Sequence, residues 1–95
     1  MPAMGSDSRP VRRSDVLAQV AGETVVLLTP DSGEYFTLNE VGGRIWELAD
    51  GTRSVEEIAR MLGEEYDAPV EEIQADAVEL LEELDAARLL GSDGR

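Results

Sequence analysis

A catalyst made from this chain would have to be made from carboxylates. The 95 residues hold 21 Asp and Glu, two Tyr and a few hydroxyls, but no Cys and no His. Thiol nucleophiles, imidazole bases, disulfides and His/Cys zinc sites are therefore excluded. Asp76 and Glu83 fall on one face of a helical pattern and could in principle act as acid and base. No oxyanion device, Lys or glycine-rich phosphate loop accompanies them, and among so many acids such pairs arise by chance. Asp31 and Asp50 stand in loops that lack the D-x-D/N-x-D/N-G spacing of a calcium site. Neither an enzyme nor a bound metal or cofactor is expected, and binding is the remaining chemistry.

Charge narrows the choice of partner. The formal net charge is −13, and all eight bases are Arg. Such a surface repels phosphate backbones and anionic headgroups, so neither nucleic acid nor a membrane is an expected partner. Cationic segments of other proteins are the electrostatic complement. No apolar run reaches the ~18–20 residues of a membrane span, and the polar start does not read as a signal peptide. A cytoplasmic protein is expected. With 42% hydrophobic and 31% charged residues, the composition suits one small globular domain.

The elements that must position these carboxylates follow from patterning. Residues 1–14 carry Pro, Gly, Ser and the cluster Arg9, Arg12, Arg13 without an apolar period, and read as a flexible arm. The tail 91–95 reads as fraying. Val16–Val20 is β-permissive and precedes an Ala21-Gly22 turn. Glu23–Thr29 is a β-branched and aliphatic run suited to a strand covered on both faces. Pro30 to Gly33 is turn chemistry. Glu34–Leu38 alternates, with Phe36 and Leu38 on one face and Tyr35 and Thr37 on the other.

Helical signals fill the second half. Asn39 is an N-cap for a helix from Glu40 to about Ala49, whose Gly42-Gly43 pair implies either close packing or a frayed first turn. Ser54-Val-Glu-Glu57 is a capping box opening a second helix, which ends near Gly63 and Asp67-Ala-Pro69. From Val70 to Ala87, Ile73, Ala77, Leu80, Leu81 and Leu84 trace an apolar stripe, with Pro69 placed as a first-turn proline. Glu71, Glu72, Asp76, Glu79, Glu82, Glu83 and Asp85 cover the rest without one base among them. This acidic face is either simply solvated or awaits a cationic ligand. The core is expected to comprise Val25–Leu28, Phe36, Ile45, Trp46, Ile58, Leu62, Ile73, Leu81 and Leu84.

The stretch from Val26 to Asn39, then Val41-Gly42, Arg44-Ile-Trp-Glu-Leu48 and Asp50-Gly-Thr-Arg-Ser-Val-Glu-Glu-Ile58, resembles the PqqD-like family. Its members include RiPP recognition elements, which bind leader peptides of ribosomal natural-product precursors, and the likeness leans towards the stand-alone recognition proteins of lasso-peptide pathways. Asp76 to Leu84 and Leu89-Leu90 match the family's final helix and exit, while Gly43 and Leu80 stand where relatives often carry Ala and Phe. The resemblance spans residues 15–90. It implies an α+β, winged helix-turn-helix-like domain: a three-stranded antiparallel sheet followed by three helices. It implies a leader bound as an added antiparallel strand along the third strand (Glu34, Tyr35, Phe36, Thr37), in a groove closed by Ile73, Asp76, Ala77, Leu80 and Glu83 of the third helix. The implied partners are the precursor leader, a separate leader peptidase of the cysteine-protease type and a macrolactam synthetase. Two alternatives stay open: a PqqD-like chaperone for a radical-SAM modifying enzyme, and a winged-helix transcriptional regulator, which would need the basic recognition helix this sequence lacks.

Overall fold

The computed structural model describes residues 7–30 and 32–91. Three strands, β1 (Leu17–Ala21), β2 (Thr24–Leu28) and β3 (Tyr35–Leu38), precede three helices, α1 (Glu40–Leu48), α2 (Val55–Tyr66) and α3 (Val70–Ala86). The sheet is antiparallel in the order β1-β2-β3. The α+β class and the element order are those expected.

Local chemistry sets each boundary. Ala21 pairs with Thr24, so the hairpin loop is Gly22-Glu23, one residue later than expected, with Gly22 at φ 65°. Between β2 and β3, the Thr29 N–H donates to the Glu34 carbonyl at 2.9 Å, and the Thr29 hydroxyl accepts from the Glu34 N–H at 3.1 Å. Asn39 caps α1 by accepting from the Gly42 N–H at 2.8 Å. The Ser54–Glu57 capping box is complete in both directions. Pro69 is the N-cap of α3 rather than its first helical residue, with ψ 131° still extended.

α1 packs on one face of the sheet, and α2 and α3 pack against α1 and each other to complete the core. Leu27 and Leu38 meet Ile45, Trp46, Leu48, Ile58, Leu62, Ile73, Leu81 and Leu84 in the core. The expected core holds for the helices but not for the whole of β2, which is not covered on both faces. Leu28 is 39% exposed, and Val25, Val26 and Phe36 are only half-buried. Leu17, Leu28 and Tyr35 stand in cross-strand register on the outer face, where no described residue covers them. Patterning detected the apolar run but could not reveal that α1 packs on only one side of the sheet.

Gly43 resolves the open question about the glycine pair in favour of close packing. A Cβ there would stand 2.6 Å from Val25 Cγ2, so α1 approaches β2 as closely as it does only because residue 43 has no side chain.

The larger correction concerns the N-terminal segment. Residues 8–13 form no loose arm: they are laced between the α1–α2 loop and the segment after α3. Val11 bridges Asp50, Arg12 bridges Leu90, and the Val55 N–H donates to the Ser8 carbonyl. Arg12 Nη1 donates to the carbonyls of Trp46, Glu47 and Ala49 at 3.1, 2.8 and 3.3 Å. These carbonyls end a helix with no base in its last turn, so the guanidinium supplies the missing C-terminal cation from a distant part of the sequence. Residues 1–6 of the expected arm, Asp31 and residues 92–95 of the expected tail lie outside the described residues.

Candidate functional site

β3 is an edge strand. Its inner neighbour is β2, and no described strand pairs with its other side. Beside that edge lies a groove of about 610 Å³, within the range of ordinary ligand sites. Its floor is apolar: Leu38, Ile45 and Ile73 are buried, and Val41 and Leu80 are half-buried. Gly42 and Asn39 of the α1 start complete one side, and Tyr66 and Ala68 close one end.

The wall opposite β3 is α3, and it is acidic. Glu72, Asp76, Glu79 and Glu83 recur at i+4, i+3 and i+4 along the groove, all exposed. No salt bridge reaches any of them among the described residues. Like charges at these spacings destabilise a helix by a few tenths of a kcal/mol per pair, and no described cation pairs with these four. Tyr66 donates its hydroxyl to Glu40 Oε2 at 3.3 Å. Partial burial, with Glu40 beside it, raises the phenol pKa and keeps this donor protonated.

Of the expected site residues, Thr37, Ile73, Asp76, Leu80 and Glu83 line this groove. Ala77 is fully buried behind the α3 wall. Glu34 belongs to the β2–β3 turn, Phe36 packs inward against the core, and Tyr35, 69% exposed, stands on the outer sheet face. Tyr35 and Phe36 belong to the groove's edge strand and Glu34 precedes it, but none of the three lines the groove. Sequence reasoning missed Leu38, Asn39, Val41, Gly42, Ile45, Tyr66, Ala68, Glu72 and Glu79 as lining residues. Glu72 and Glu79 were accessible to it, because both share a helical stripe with Asp76. The α1 residues carried no such signal, since only the tertiary stacking of α1 beside α3 brings them there.

Among the described residues, no cluster of three carboxylates is placed to hold a metal ion, and no helix is long and apolar enough to cross a membrane.

The chain's similarity to known proteins runs through the same elements. The family model described as Coenzyme PQQ synthesis protein D (PqqD) matches residues 24–90. A PqqA binding protein of Xanthomonas axonopodis pv. citri (strain 306) is 37% identical over 92 residues, covering 95% of this chain and 98% of that one. The solution structure of the PqqD truncation of Methylobacterium extorquens PqqCD, a functional, stand-alone RiPP recognition element, superposes with a TM-score of 0.81 at 29% identity, covering 95% and 96%. TbiB1 in complex with the TbiA(beta) leader peptide superposes with a TM-score of 0.75 at 30% identity, covering 86% of this chain and 95% of that one.

Proposed function

The chain belongs to the PqqD family, and from that premise we propose that it binds the leader region of a ribosomal precursor peptide and holds it for enzymes that do the chemistry. The observation that carries this reading is the β3 edge, left without a partner strand among the described residues, opening onto the α3 groove. A leader strand added along Glu34, Tyr35, Phe36 and Thr37 gains main-chain hydrogen bonds of any sequence, and Ile73, Asp76, Leu80 and Glu83, backed by Ala77, read its side chains. Ordering a free leader costs ~2–5 kcal/mol of the gross gain. A Kd between micromolar and tens of nanomolar, about −8 to −10 kcal/mol, suits a carrier that must also release its cargo.

Holding the leader raises the effective concentration of the attached core peptide at a second enzyme, up to about the millimolar range for a short tether. Two pathways suit this role. Likeness to leader-bound TbiB1 supports a lasso-type precursor delivered to a cysteine-protease-type leader peptidase and a macrolactam synthetase. Likeness to PqqA binding proteins supports a chaperone for a radical-SAM modifying enzyme. A DNA-binding regulator is disfavoured by the net charge of −13.

The test is titration of isotope-labelled protein with two synthetic leaders, one of PqqA type and one of lasso type. Saturable amide shifts in β3 and along α3 with one of them support the reading and choose the pathway. Saturable binding that leaves both elements unshifted overturns it.

A further inference from the structure

α1 reaches β2 and β3 but not β1, so the helix side of β1 is uncovered. Val20 shows the result. It stands in register with Val25, whose side chain packs on α1 at Gly43, so Val20 lies on the helix side of the sheet, yet it is 68% exposed. Between this overhang and α1 lies a cleft of about 240 Å³, lined by Val20, Glu23, Val25, Glu40, Arg44 and Tyr66 among others. It is smaller than ordinary ligand sites of ~300–1,000 Å³ and has room for single side chains rather than a further strand. The acids around it divide in two. Glu47 and Glu65 are engaged by Arg44. Glu23 and Glu40 are exposed, and no cation pairs with either among the described residues.

Tyr66 borders both this cleft and the β3–α3 groove. Strand polarity decides which part of a bound peptide comes near it. β3 runs from Tyr35 to Leu38 and straight into the α1 cap at Asn39. A peptide laid antiparallel to β3 therefore has its upstream end beside Leu38, where Tyr66 closes the groove, and its downstream end beside Tyr35. An extended chain advances ~3.3 Å per residue, so a few residues upstream of the added strand suffice to pass Tyr66 and enter the cleft.

We propose that the cleft between the β1–β2 hairpin and α1 is a second docking surface, occupied by the segment of the leader upstream of the added strand, and that it favours Lys or Arg beside an apolar residue in that segment. The inference rests on the leader-binding reading and extends it to the peptide's direction and to residues outside the strand. Val20 and Val25 offer apolar contact, while Glu23 and Glu40 offer opposite charge at a rim where neither partner must be fully desolvated. An acidic segment would meet only repulsion there.

The probe is a peptide selected from a random displayed library on the wild-type protein, trimmed to the shortest length that retains binding, and acetylated and amidated so that its ends carry no charge. It is resynthesised with Arg-Val-Arg, Glu-Val-Glu or Gly-Gly-Gly added at the N-terminus or at the C-terminus, and titrated at ~0.15 M salt. At the N-terminus, Arg-Val-Arg should tighten binding about five-fold over Gly-Gly-Gly and shift the amides of residues 20–23, and Glu-Val-Glu should weaken it about two-fold. At the C-terminus the same additions sense only the overall negative field and should change affinity by less than about two-fold. The double variant Glu23→Gln, Glu40→Gln, first checked for a native circular dichroism spectrum, should bind the unextended peptide as wild type does and lose most of the Arg-Val-Arg gain. Equal gains at both ends, a gain at the C-terminus alone, or an N-terminal gain that the double variant keeps, overturns the cleft and leaves the groove reading standing. A library that yields no binder, or binders that leave β3 amides unshifted, overturns the groove reading, and the second docking surface with it.

Discussion

On the α1–α2 side of the molecule, acids are matched with partners. Arg44 donates to Glu65 at 2.9 Å and also pairs with Glu47. Arg60 pairs with Glu56 and Arg53 with Asp50. Glu57 completes the Ser54 capping box. Along α3, Glu72, Asp76, Glu79 and Glu83 face the groove with no cation paired to them among the described residues. The same residue type serves folding on one side and remains free for a ligand on the other. Perturbations on the first side should therefore change stability, and those on the second should change binding.

The largest effect is expected at Arg12, the cation that ends α1. Arg12→Ala removes charge-assisted hydrogen bonds to three carbonyls. A loss of about 2 kcal/mol is expected, lowering the melting temperature by roughly 8–16 °C for a domain of this size. Peptide affinity, measured well below the melting transition, should stay within about two-fold. A large loss of affinity in the folded variant would break the division, showing that α1 must be clamped for the groove to form.

Next come the groove residues. Leu80→Ala removes apolar wall, and Asp76→Ala removes a rim carboxylate. Each should weaken leader binding by ~1–2 kcal/mol, about ten-fold, with little change in melting temperature. Glu71→Ala, on the opposite flank of α3 and absent from the groove lining, should be nearly silent. Equal affinities for all three variants would place the peptide elsewhere.

Both sides could be read from the sequence, unequally. The Ser54–Glu57 box, the Asn39 cap and the Val70–Ala86 stripe are local signals within four residues, and each was legible. So was the acidic α3 flank, because helical period alone puts Asp76, Leu80 and Glu83 together. The docking of residues 8–13 was not legible. It joins Arg12 to Trp46, Glu47 and Ala49 across more than thirty residues, and isolated bridges leave no period. The bare outer sheet face was missed for a related reason, since the apolar run of β2 looks the same whether one face is covered or two.

Acid should separate the two sides further. The Ser54 N–H holds the Glu57 carboxyl below its usual range, and Arg44 does the same for Glu65. A depressed folded pKa contributes stability that is fully present above the unfolded value, near 4.5, and is lost as pH falls through the folded value. The melting temperature should therefore decline below about pH 4.5, and the combined Glu57→Gln, Glu65→Gln variant should show a shallower decline. An unchanged acid limb in that variant would mean that these matched acids add nothing to pH-dependent stability.

The smallest effect is salt, and it tests the unmatched side directly. Glu72, Asp76, Glu79 and Glu83 are exposed, so attraction to a Lys- or Arg-bearing leader is worth only ~0.2–1 kcal/mol per pair. The Debye length contracts from ~10 Å at 0.1 M salt towards 3 Å at 1 M, which weakens such pairs without removing apolar contacts. Affinity for a cationic leader should fall by about two- to five-fold between low salt and ~0.5 M NaCl. Neutralising the four acids with Gln should abolish that dependence. It should also raise the melting temperature slightly, because like charges at helical spacing repel one another. If the Gln variant binds as wild type does and keeps the same salt response, the α3 carboxylates only solvate the helix, and the apolar floor alone selects the peptide.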